Sequence, residues 1–252
     1  MPLPTTPTAA TAESMSPDRQ RSIYFGEPGH GKTTLAAGWF PQTNLILDCE
    51  GGTRFLGGQH FVQRIKTYDE FTVAVNELVA GGHHYKTVTI DTIDAVVRMA
   101  DAAAGQRGGK VAAGLVEFGK GMADRDGVVM RDLSKLLSTD LGVILIAHPV
   151  VASKVGESGK EEDRLYPAID KQDRIRGPVI GLFDSMYLCR KRNTAAGEVY
   201  EIVTGGLNGV ETKRRVPLPD VLPANAQALY EATVAGVQQI LAPTTQTQAV
   251  AS

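Results

Sequence analysis

The sequence predicts an α/β protein with a mainly parallel central sheet, helices on both faces and a β-hairpin extension toward the C-terminus. Three observations carry this. Short apolar runs recur as SIYF, NLILD, FVQRI, TVTID, GVILIAH and SMYLC, with helical stretches between most of the first five. These runs are continuous rather than alternating, the mark of strands covered on both faces. A glycine-rich turn also joins the first run to a helix-forming segment, Lys32 to Phe40.

Taken in order, the elements have local reasons. Residues 1–18 are rich in Pro, Thr and Ala and hold few large apolar side chains, as does the end of the chain. Both are therefore expected as untethered tails, 1–18 and 242–252, around one core of residues 19–241. A chain of 252 residues buries one substantial core. Trp39, Phe40, Phe71 and Leu78 suit helix packing within it. After SMYLC, the segments SMYLCRKR and EVYEIVT read as a hairpin closed by NTAAG, and Ala224 to Leu241 as a last amphipathic helix packed on the sheet edge.

Composition narrows the function. A formal charge of −2 gives no global basic field, so nucleic-acid binding would need a local patch. Cys49 and Cys189 lack metal-ligand spacing and read as core fillers in a reducing compartment. His83 and His84 are adjacent, without flanking ligands, and predict no metal site. No run of eighteen apolar residues and no charged-then-apolar leader is evident, so a cytoplasmic protein without membrane contact is expected.

The turn carries the chemistry. Gly26, Glu27, Pro28, Gly29, His30, Gly31, Lys32, Thr33 and Thr34 meet the pattern G-x-x-x-x-G-K-[ST] between a buried strand and a helix. Glycines let several backbone N–H groups converge on a phosphate, Lys32 adds charge toward the outer phosphates, and the Thr33 hydroxyl is a ligand for the Mg²⁺ that accompanies ATP. Hydrolysis needs acids at other strand ends. TVTID ends in Asp91, placed as the acid that holds Mg²⁺, with Asp94 ranked second as a helix-capping residue. NLILDCE ends in Asp48 and Glu50, two residues apart and so on one face, and Glu50 is the candidate to activate water. GVILIAH ends in His148, a candidate sensor of ATP against ADP. Ligands gather at the carboxyl ends of strands in such sheets.

Two segments are candidates for DNA. Residues 105–126 are glycine-rich and hold Lys120 beside Arg107, Lys110, Arg125 and Phe118; residues 150–177 carry Lys154, Lys160, Arg164, Lys171, Arg174 and Arg176 as a long loop after His148. Acids interrupt the second segment.

The order GEPGHGKTT, LDCEGGT, VTIDTID, EFGKGM, ILIAHPV and ETKRRVPLP resembles the phage-encoded RecA-like P-loop ATPases that consist of the recombinase core alone, some of them single-strand annealing proteins. The resemblance spans roughly residues 20–240. It implies a RecA-like fold, Mg·ATP as cofactor, Lys32 and Thr33 on phosphate and metal, Asp91 as the Walker B acid and Glu50 as the water-activating glutamate. His148 takes the place where RecA has a glutamine, a departure that puts the relay to DNA in question. Lys213 and Arg215 match the K-x-R pattern that reaches a neighbour's ATP in RadA-type proteins. The implied function is ATP-dependent recombination on single-stranded DNA in a bacterial host's cytoplasm. The implied partners are copies of the same chain, in a ring or filament; with no obvious extra DNA-binding domain, a single-strand-binding protein is a further expected partner. Two alternatives stand beside it: an ATP-gated replication adaptor, helicase-type motor or loader, and a small-molecule kinase with residues 160–176 as its lid.

Overall fold

The structure, a computed structural model, describes residues 11–116, 119–155, 161–170 and 174–242, apart from the side chain of Lys154. Five strands, β1 (Arg21–Phe25), β2 (Asn44–Asp48), β3 (Phe61–Arg64), β4 (Thr87–Asp91) and β5 (Gly142–Val155), lie parallel in the order β3-β2-β4-β5-β1. Every residue of β2 and β4 is buried, which is why they read as unbroken apolar runs. The strand β6 (Glu161–Ala168) pairs antiparallel with the far half of β5, from His148↔Ala168 to Val155↔Glu161. The strand β7 (Ser185–Thr194) continues the sheet parallel to β1, and β8 (Gly197–Val203) and β9 (Val221–Pro223) follow antiparallel. This is the predicted mainly parallel α/β arrangement with its C-terminal hairpin extension.

Helices cover both faces. On one, α2 (Tyr68–Ala80), α3 (Ile93–Arg107), α4 (Lys120–Leu137) and α5 (Arg176–Leu182) place Phe71, Val96, Leu133 and Val179 against Ile23, Leu47, Ile90 and Leu145. On the other, α1 (Lys32–Gly38) and α6 (Ala226–Leu241) place Leu35, Trp39 and Leu229 against Tyr24, Ile146, Tyr187 and Ile202. Three helices start on side-chain caps: Thr67 accepts from the Glu70 N–H, Thr92 from Ala95 and Asn225 from Ala228. Both cysteines are buried and free. The helix α6 thus lies across the α1 face, with Leu229 and Val237 buried and Ile240 exposed.

Three expectations are corrected. Residues 11–18, read as part of a tail, hold a turn and the start of a 3-10 helix (Pro17–Arg19), and the Asp18 carbonyl accepts from Thr87 Oγ1. Residues 1–10 and 243–252 lie outside the described residues. The segment after His148 is a β-hairpin rather than a long loop, and Lys120 opens α4 rather than sitting in a glycine-rich loop. Among the described residues, no helix is long and apolar enough to cross a membrane.

Candidate active site

The loop after β1 turns on Gly26, Gly29 and Gly31, whose φ angles are 152°, 78° and 81°. At Gly26 no other residue fits, since a Cβ there would stand 2.1 Å from the Cys189 carbonyl oxygen on β7. The loop is thereby wedged between its own strand and the next. Lys32 is 7% exposed, and its Nζ donates to the Gly26 and Glu27 carbonyls at 2.7 and 2.9 Å. Burial lowers its pKa, with Cys189, Asp91 and Glu50 opposing the shift. Gly29, Gly31, Lys32, Thr33 and Thr34 line a cavity of ≈ 440 Å³ together with Tyr200 and Ala224.

Below the loop, the Thr33 hydroxyl donates to Asp91 Oδ2 at 2.8 Å. The start of α1 and the end of β4 therefore bring a hydroxyl and a carboxylate together across 58 residues of sequence. These hard oxygen donors suit Mg²⁺. Burial pushes the Asp91 carboxyl up to about 6 despite the Thr33 bond, and Asp48 and Glu50 add to the rise.

Asp48 and Glu50, expected on one face, part company. β2 ends at Asp48, which is 2% exposed and accepts from the Gly51 N–H, Thr53 Oγ1 and Arg64 Nη1. Burial raises this carboxyl, but the bonds from Thr53, Gly51 and Arg64 outweigh it and hold the pKa below the usual value. Asp48 thus shapes the loop that carries Glu50. Glu50 reaches toward α3, where Oε1 accepts from Arg98 Nη2 at 2.8 Å and Oε2 lies 3.8 Å from His148 Nε2. His148 Nδ1 and Arg98 Nη1 both meet Asp94 Oδ2, at 3.1 and 2.7 Å. Burial raises the Asp94 carboxyl, and hydrogen bonds from Thr92, His148 and Arg98 bring it below its ordinary value. Asp94 is therefore not the cap of α3, a role that Thr92 fills. It orients His148 and Arg98. Ligand atoms of Glu50, Asp94 and His148 all lie within 4.8 Å of one another, with Arg98 balancing the acids.

The remaining expected residues sit elsewhere. Lys213 Nζ donates to the Ile180 and Phe183 carbonyls and so closes the C-terminal end of α5 within its own chain. Arg215 pairs with Asp184 at 3.3 Å, next to the amino end of β7 and so at the opposite end of the strands from the phosphate loop, which follows the carboxyl end of β1. Among the DNA candidates, Arg164 pairs with Glu162 and Glu211, Arg174 pairs with Asp126, and Arg176 stacks over the Tyr166 ring at 4.7 Å. Arg125 is buried on Asp126 and Asp170, not offered to solvent. Lys120 is exposed at the start of α4. Lys160, Lys171 and Phe118, and the side chain of Lys154, lie outside the described residues. Two residues were missed. Arg98 was findable, because it stands four residues after Asp94 on one helix face. Tyr200 had no such signal, since only the register of the β7–β8 hairpin brings it to the loop.

The family model of the AAA domain matches residues 18–216. The chain belongs to this family. It is a P-loop ATPase of the AAA domain family, and its fold implies nucleotide binding. No curated protein matches it. Among solved structures, it is similar to a KaiC-like protein from the hyperthermophilic archaeon Pyrococcus horikoshii OT3. Identity is 13% and the TM-score 0.46, over 82% of this chain and 85% of that one. It is also similar to an ATPase from the type III secretion system of pathogenic bacteria. There identity is 18% and the TM-score 0.43, over 68% and 52%.

Proposed function

We propose that this AAA domain ATPase binds Mg·ATP and hydrolyses it in response to single-stranded DNA, as a self-assembling recombination protein of strand-annealing or strand-exchange type. The observation that carries the reading is the continuity of β5. The strand runs from the sheet through His148, beside Glu50, and on into the β5–β6 hairpin without a break.

In this mechanism the loop N–H groups and Lys32 bind the phosphates. Thr33 and Asp91 would hold Mg²⁺, which neutralises phosphate charge when bound. Glu50 orients the attacking water and accepts its proton, while Arg98 and His148 fix the carboxylate. His148, anchored on Asp94, passes nucleotide state along β5 to the hairpin. Lys120 and the cations of the hairpin region meet the DNA backbone. Arg215, whose side chain is 64% exposed, reaches the ATP of a neighbouring copy. The Lys213 ammonium is engaged by carbonyls of its own chain and takes no part.

A second reading, an ATP-gated adaptor, draws support from the hairpin itself. Val151 and Val155 are 61% and 63% exposed there, and Arg164 is neutralised by acids, a surface suited to a protein partner. Steady-state ATP hydrolysis with and without single-stranded DNA, at low and moderate salt and with Lys32→Ala as blank, separates the two. Stimulation that weakens with salt supports recombination. Hydrolysis indifferent to DNA sinks that reading and leaves the adaptor.

A further inference from the structure

The cavity over the phosphate loop has one wall that phosphate does not need. Tyr200 on β8 is 40% exposed, yet its Cδ1 lies 3.6 Å from where a Gly31 Cβ would stand. Its neighbour on the same strand face, Ile202, is fully buried in the core under α1. The ring thus projects past the end of that core to the rim of the loop.

Its position is fixed on several sides. Tyr200 pairs with Lys191 of β7, and its carbonyl accepts from the Ala224 N–H at 3.0 Å. With its backbone held between β7 and the segment at Ala224, the side chain is set at the rim of the loop before any ligand arrives. The same cavity is walled by the Ala224 methyl and Thr34, and its ≈ 440 Å³ falls in the range of small-ligand pockets. An exposed aromatic ring at the mouth of a phosphate cradle suits a flat heteroaromatic ring joined to the phosphates.

We infer that Tyr200 is the nucleobase platform of this ATPase, a positioning residue that holds the base of a nucleoside triphosphate by stacking on its ring. This rests on the reading of the phosphate loop as the nucleotide site. Stacking is tolerant of base identity because every base has a π face, so the platform supplies affinity and orientation rather than base choice.

Calorimetric titration of the full chain tests it, with Mg·ATP and Mg·inorganic triphosphate as the two probes. Tyr200→Ala is expected to weaken ATP by about tenfold, or about 1.4 kcal/mol, while triphosphate binding changes by less than about twofold. Tyr200→Trp is expected to restore ATP affinity and to show quenched emission with ATP but not with triphosphate. Unchanged ATP affinity in Tyr200→Ala overturns the proposal, and so does an equal loss for both probes, which would make Tyr200 a prop for the loop. Undiminished ATP binding by Lys32→Ala would instead overturn the phosphate-loop reading, and the platform with it.

Discussion

Replacing Asp91 by Asn turns the cost of a buried charge into a measurable quantity. Asp91 is 4% exposed, and its carboxyl is raised from 3.8 to about 6, first by burial and then by Asp48 and Glu50. The gap corresponds to about 3 kcal/mol. Because the folded pKa is the higher one, the folded chain binds more protons than the unfolded chain between the two values. Stability from this group is therefore full below 3.8, falls as pH rises through about 6, and stays lower above. Asparagine has no such titration, and its Oδ1 accepts the Thr33 hydroxyl bond as Asp91 Oδ2 does. Urea unfolding in EDTA, without nucleotide, should show the two proteins equal near about pH 4 and the variant ahead by up to about 3 kcal/mol at about pH 7.5. Mg²⁺-dependent turnover should fall by more than about a hundredfold in the same variant. A variant less stable than the parent at the higher pH, or a gap that does not change with pH, refutes the reasoning.

Other substitutions test other parts of the site. Glu50→Gln should keep ATP binding and lower turnover by about 10²–10⁴, and normal turnover would remove Glu50 from the chemistry. Gly26→Ala meets the Cys189 carbonyl at 2.1 Å whereas Gly29→Ala meets nothing within 4 Å. Urea midpoints should therefore show a loss above about 2 kcal/mol for the first and about 1 kcal/mol for the second, and equal losses would contradict the wedge. Arg125→Met strands Asp170, whose side chain is fully buried, and should cost about 3–5 kcal/mol in urea unfolding. An unchanged midpoint would show that Arg125 is not needed there.

The parallel strands were legible because burial on both faces forces apolar runs, and the phosphate loop because its glycines and Lys32 answer to one ligand chemistry. β6 was hidden for the opposite reason. Its sequence, EEDRLYPA, is charged and holds Pro167, and it becomes a strand only through its long pairing with β5. The roles of cations were equally hidden. Lys213 and Arg125 look like surface charges in sequence, but their fates depend on carbonyls and acids brought in by remote elements. Glu50 could be proposed from the strand it follows, yet Arg98, which bonds its carboxylate, arrives on α3 from a separate part of the sequence. Strand patterns report burial, whereas the pairing of polar side chains depends on the assembled topology.

The unbroken course of β5 has a mechanical consequence. From Pro149 to Val155 the strand extends about 23 Å past His148, at about 3.3 Å per residue. A tilt of about 10° at His148 swings the far end through about 4 Å, roughly the spacing between paired strands. Paired along its whole outer length with β6, this arm would swing as one two-stranded ribbon. Small displacements of an imidazole ring would emerge as strand-sized strokes at the surface, and a load on the surface would return to the ring with its force multiplied.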